Sequence, residues 1–155
     1  MPESPTSRPA FRIASLREPD IAAVEALERE AGLTPWGAES WRRELQNQQA
    51  ILLVAIADDQ VVGFLLAWVI ADEFQLNNMA VSTAQRRQGI GSALLSSALR
   101  TAREMGASRG ALEVRAANEA AQSLYLRHGF VVTGRRKDYY HSPPDDALLM
   151  IRIVI

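Results

Sequence analysis

A chain of 155 residues with 48% hydrophobic content can bury one sizeable core and is short for two. Its net charge of −1 supplies no bulk positive field for nucleic acid or an anionic membrane, so neither partner is expected. The absence of cysteine excludes thiol nucleophiles, disulfides and thiolate metal sites together, and 2 histidines, His128 and His141, are too few for a zinc site.

The opening stretch MPESPTSRPA lacks the basic start and apolar run of a signal peptide, and its Pro and Ser content predicts a disordered arm over residues 1–10. A single domain is expected over 11–155. FRIASL alternates as a first strand, and Asp20 then precedes Ile21, Val24 and Leu27 at helical spacing, with Gly32 beyond the end. TPWGAES breaks the chain, and Trp41 with Leu45 predicts a second, short helix. AILLVAIA and VVGFLLAWVI flank the turn DDQ as a hairpin, both runs apolar enough for strands covered on two faces. Neither run reaches the ~20 residues that span a bilayer, which predicts a cytoplasmic protein without a membrane partner.

FQLNNMAV is a further strand, and it feeds directly into STAQRRQGIGSALL. Ile90, Leu94, Ala98, Ala102 and Met105 then share one helical face, ending at Gly106. GALEVRA reads as a strand, NEAAQSLYLRHG as a helix, FVVTGRR and DALLMIRIVI as the last two strands. The expected order is βααβββαβαββ, a mixed α/β layer structure.

Glycines between a strand and a helix either serve a tight turn or present the helix's free first-turn N–H groups to an anion. Three phosphate-binding motifs compete for this loop. The Walker loop needs a lysine after its last glycine, and none stands here. The dinucleotide fingerprint needs a third small residue where Leu94 sits. The third reading fits at more positions: RRQGIG, Arg86 to Gly91, resembles the Q/R-x-x-G-x-G/A signature of the GNAT superfamily of N-acetyltransferases.

NMAV before the loop, LEVRAANEAAQSLYLRHGF after it and DYYHSPPDDALLM near the end resemble the RimI-type ribosomal-protein-alanine N-acetyltransferases, as does TPW around Trp36. The resemblance implies an α+β GNAT fold, a mixed and mostly antiparallel central sheet flanked by helices, binding acetyl-CoA and working as a monomer or weak dimer. It implies that Arg87, Gln88, Gly89, Ile90, Gly91 and Ser92 wrap the CoA pyrophosphate. Met79, Ala80 and Val81 would pair through their backbone with pantetheine, where the strand parts from ALEVRA at a bulge. Asn118 would lie against the pantetheine arm, although it also stands where a helix N-cap belongs. Trp36, Glu73, Tyr139 and Tyr140 would lie near the acceptor peptide.

Acetyl transfer to an amine needs a neutral nucleophile, a donor for the oxyanion and a proton for the thiolate. At pH 7 roughly one α-amine in seven is already neutral, against fewer than about one lysine in a thousand, so a modest base suffices for N-termini. On an extended ALEVRA, Ala111, Glu113 and Arg115 share one face, and Glu113 is either a surface partner of Arg115 or the base, the role the resemblance gives it. Tyr125 is either a half-buried core tyrosine or, as the resemblance implies, the acid that protonates the CoA thiolate. The expected activity is transfer of acetyl to a protein N-terminus, foremost that of a small-subunit ribosomal protein. The alternatives are the same fold acetylating a lysine or small amine, and an acyl-CoA-binding sensor without turnover.

Overall fold

A computed structural model describes residues 10–86 and 88–155. Residues 1–9, which make up most of the expected arm, and Arg87 lie outside the described residues. The elements are β1 (Arg12–Ser15), α1 (Ile21–Glu30), α2 (Ala38–Leu45), β2 (Ala50–Ala57), β3 (Gln60–Ile70), β4 (Glu73–Val81), α3 (Ile90–Glu104), β5 (Arg109–Arg115), α4 (Glu119–Arg127), β6 (Val131–His141) and β7 (Pro144–Arg152). Their order is the one expected from the apolar periodicity. Asp58 and Asp59, at φ 49° and 61°, form the left-handed pair that a tight hairpin needs, and they close β2 onto β3.

The seven strands form one sheet in the order β1-β2-β3-β4-β5-β7-β6. Every neighbouring pair is antiparallel except β4 with β5. Alternation along β3 explains its nearly unbroken apolar run. Leu65, Ala67 and Val69 face a core built with Ile90, Leu94 and Ala98 of α3, while Phe64 and Leu66 face a second core with Val24 and Leu27 of α1 and Trp41 of α2. Tyr125 of α4 and the following Phe130 belong to the α3 side.

Two irregularities shape the sheet. The β3–β4 register shifts at Leu66/Ala67, so Asn77 is an extra residue in β4. Beyond it the pairing with β5 stops: Glu73 to Leu76 face Arg109 to Leu112, and no further partners follow. The sheet therefore opens between β4 and β5, as the resemblance implied. The second irregularity lies in β6, which runs past Arg136 to His141, whereas the sequence placed residues 137–145 outside strands. Pro144 is tolerated because it is the first residue of β7, where its missing N–H costs no interior ladder bond.

Candidate active site

Gly89 is the N-cap of α3 at φ +80°, a conformation that side chains with a Cβ rarely adopt. The buried Ile90 side chain anchors the turn to the core, and Gln88 stays exposed. Ala93 is the first residue to return a helical bond, to the Gly89 carbonyl at 2.9 Å. The N–H groups of Ile90, Gly91 and Ser92 therefore have no helical acceptor and point off the positive end of a 15-residue helix. That fits a diphosphate. Gly91 has a separate reason to be small: a Cβ there would sit 3.3 Å from Leu124 Cδ2 of α4.

Ser92 carries a contact the sequence reading missed. Its Oγ lies 2.8 Å from Nε2 of His128, a residue considered there only as a metal ligand. Burial, then the charges of Arg127 and Arg152, hold the His128 pKa below its ordinary value, so the ring is neutral near pH 7. On the other side of the loop, Glu30 of α1 accepts from the Thr83 N–H and hydroxyl, both at 2.6 Å. The strand-to-helix connection is thus tied to both α1 and α4.

The β4 edge at Met79, Ala80 and Val81 is hydrogen-bonded to β3 and unpaired on its β5 side. An extended chain of amide groups can pair with such an edge. Across the opening, Asn118 caps α4 by accepting from the Ala121 N–H at 3.1 Å, as the N-cap reading expected.

A cleft of about 640 Å³ opens over β4, β5 and β7, lined among others by Glu73, Glu113, Arg136, Tyr139, Tyr140 and Leu149. Glu113 projects on the face opposite the buried Leu112 and Val114, as alternation required. Its cationic neighbour is Arg136, at 3.8 Å. Arg115 instead donates to the Pro143 carbonyl at 2.8 Å and lays its guanidinium 4.1 Å from the Tyr140 ring centre. Glu113, as hydrogen-bond partner and as a negative charge, raises the Tyr139 pKa above its ordinary value. Glu73 is tied to Arg109 at 3.0 Å and accepts from Gln75 at 3.2 Å.

Trp36 does not line this cleft. It lies between α1 and α2, edge-on to Trp41 at 5.4 Å and 40% exposed. Its N–H donates to Glu28 at 3.1 Å, and the same carboxylate, 1% exposed, takes the Trp41 Nε1–H at 2.9 Å. Sequence reasoning passed over both Glu28 and Arg136. The helical pattern of α1 does place Glu28 one residue after Leu27, beside the apolar stripe, which is a signal for a buried partner.

Tyr125 is 7% exposed and packs edge-on to Phe130 at 6.4 Å. Burial, with a smaller contribution from Tyr140, pushes its pKa up to about 12. Tyr140 is itself raised by burial and then by Glu113, so it lies within electrostatic reach of both the carboxylate and the buried phenol.

A parallel strand pair that parts, with a glycine-capped helix following the parted strand, is an arrangement suited to a CoA-dependent acyltransferase. The comparisons agree. The acetyltransferase (GNAT) family model matches residues 21–130, and the chain belongs to that family as an acetyl-CoA-dependent N-acetyltransferase. It is similar to a Bacillus subtilis protein described as a candidate ribosomal protein bS18-alanine N-acetyltransferase, 35% identical over 139 residues, 89% of this chain and 92% of that one. The Escherichia coli ribosomal protein bS18-alanine N-acetyltransferase is 31% identical over 140 residues, 89% of this chain and 94% of that one. The crystal structure of the ribosomal-protein-S18-alanine N-acetyltransferase from Escherichia coli superposes with a TM-score of 0.83 at 30% identity, covering 94% and 95% of the two chains.

Proposed function

We propose that this chain acetylates the N-terminal alanine of ribosomal protein bS18, or a closely similar protein N-terminus, by direct attack of the α-amine on acetyl-CoA. The observation that carries the reading is similarity to bS18-alanine N-acetyltransferases along almost the whole of both chains. In this reading the acceptor enters the Glu113 cleft, with Glu73, Tyr139 and Tyr140 around its first residues. Gln88 to Ser92 hold the diphosphate, and Met79 to Val81 hold pantetheine; Arg87, expected to bind the same group, lies outside the described residues. Trp36 supports the acceptor side only through the α1–α2 connection.

Acetyl-CoA supplies an acetyl group activated as a thioester. Glu113 takes the proton that the attacking α-amine gives up, directly or through a water, with Arg136 3.8 Å from the carboxylate. Negative charge building on the carbonyl oxygen finds backbone N–H groups of the unpaired β4 edge. Tyr125 hydrogen-bonds the departing sulfur. With a pKa of about 12 the phenol is fully protonated at neutral pH.

The test is a peptide panel with acetyl-CoA, read by mass spectrometry. Ala- and Ser-initiated peptides, the bS18 N-terminus among them, should be acetylated at least about a hundredfold faster than internal lysines or polyamines at pH 7, because far more of their amine is neutral. A lysine or polyamine preference overturns the substrate assignment, and binding without turnover on any amine makes the protein a sensor.

A further inference from the structure

β6 contains a break that its hydrophobic pattern does not require. Arg136 pairs with Ala147 and Tyr140 with Asp145, so Lys137, Asp138 and Tyr139 stand opposite Asp146 alone. Asp138 takes φ +53°, a left-handed conformation that aspartate tolerates better than most residues. Asp146 holds the break from the β7 side. Its Oδ1 accepts from the Asp138 N–H at 2.8 Å and its Oδ2 from Arg135 Nε at 2.6 Å. These contacts, the Asp138 N–H first, keep the Asp146 carboxyl below its usual pKa, so it is ionised at neutral pH.

The consequence for the cleft follows from strand alternation. Residues opposite Ala147 and Asp145 share one face, and a single residue between them would point to the other. With three residues in that space, Arg136, Tyr139 and Tyr140 all line the cleft. The two tyrosine rings meet edge-on at 5.0 Å, and Tyr139 and Glu113 line the same cleft. Asp146 is not among the residues that line the cleft.

We propose that Asp146 is the positioning residue of the acceptor site: by pinning the β6 break it turns Tyr139 into the cleft and sets how tightly the first residues of the acceptor are held. This rests on the reading of the cleft as the acceptor groove. A regular β6 would present Arg136 and Tyr140 and lose Tyr139 to the opposite face.

The experiment is steady-state kinetics on the full chain, varying peptide and acetyl-CoA separately. Asp146→Ala should raise the peptide KM about tenfold or more, with kcat changed less than about threefold and the acetyl-CoA KM within about twofold. Asp146→Asn, which keeps an oxygen for the Asp138 N–H, should recover most of the loss. Deleting Lys137 and Asp138 together leaves a regular ladder and should raise the peptide KM equally, which keeps the proposal testable should Asp146→Ala not fold. Tyr139→Ala run in parallel separates the two layers of inference. An unchanged peptide KM in the Asp146 and deletion variants, with a raised one in Tyr139→Ala, overturns the role of Asp146. So does an equal loss in both KM values and kcat, the mark of general damage. An unchanged peptide KM in Tyr139→Ala overturns the groove itself.

Discussion

Tyr125→Phe removes one hydroxyl from a side chain that is 7% exposed and leaves its ring packed on Phe130. Folding stability should change by less than about 1 kcal/mol, within the net worth of one neutral hydrogen bond. Turnover should fall about a hundredfold, and the size of that loss says what the phenol does. A hundredfold is about 2.7 kcal/mol of transition-state stabilisation. That equals one hydrogen bond to a charged group, which contributes about 1.5–3 kcal/mol. Complete transfer from a phenol at about 12 to a thiolate near ~8.5 would be uphill by roughly 4.8 kcal/mol. In the proposed role Tyr125 would therefore act first by donating a hydrogen bond to charge growing on sulfur, the proton following as the amine nitrogen loses its own. The assay is kcat at saturating peptide and acetyl-CoA, with released thiol titrated colorimetrically, beside calorimetric acetyl-CoA binding. An acid at about 12 also contributes no falling limb to the pH–rate profile below about pH 10. Turnover within about threefold of wild type, at matched affinity, refutes the role.

Gly91→Val should weaken acetyl-CoA binding about tenfold or more and lower the melting temperature, because its Cβ would lie 3.3 Å from Leu124 Cδ2 and 4.0 Å from Val81 Cγ2, overpacking worth about 1–3 kcal/mol. Calorimetric titration showing equal affinity would reduce the loop to a turn. Glu28→Ala leaves the Trp41 Nε1–H and the Trp36 N–H without their acceptor and should cost about 2 kcal/mol or more in urea denaturation. Burial, outweighing its two hydrogen bonds, raises the Glu28 pKa in the fold. Below the ordinary glutamate value both folded and unfolded forms hold the proton, and above it the unfolded chain releases its proton first. The stability gap between wild type and Glu28→Ala should therefore narrow as pH rises from the ordinary glutamate value toward neutrality, and a gap that widens would refute the assignment.

The order of elements was legible because each carries its own period: alternation in FRIASL and ALEVRA, a three-to-four repeat from Ile90 to Ala102, and turn residues between them. Faces were legible for the same reason, and Glu113 stands opposite Leu112 and Val114 as alternation demanded. Partners were not. Alternation says which side of a strand Glu113 occupies but not which residue of the next strand meets it, so Arg115 was weighed where Arg136 stands. Ser92 and His128 are 36 positions apart, and no local pattern joins them. The extension of β6 was hidden by KDYYHSPPDD, whose prolines and missing alternation read as loop. Its ladder resumes only after a three-residue break held by Asp146.

The parting of β4 and β5 solves a problem that the proposed catalytic pair, Glu113 and Tyr125, poses. Tyr125 belongs to the core on the α3 side of the sheet, in one cluster with Leu112 and Val114. Glu113 lies between those two residues in sequence and projects to the opposite face. A continuous ladder would keep a base and an acid so placed on separate sides of a hydrogen-bonded wall. Because pairing ends at Leu76 and Leu112, one residue before Glu113, the wall is absent where the proposed mechanism asks the two groups to serve one bond. The extra residue Asn77 follows directly in β4, so the strand that leaves the ladder is also re-aimed there, and its Met79–Val81 edge borders the gap. On the proposed reading, acceptor and acyl donor approach from different faces, and neither has to displace the other's binding surface to reach the thioester carbon.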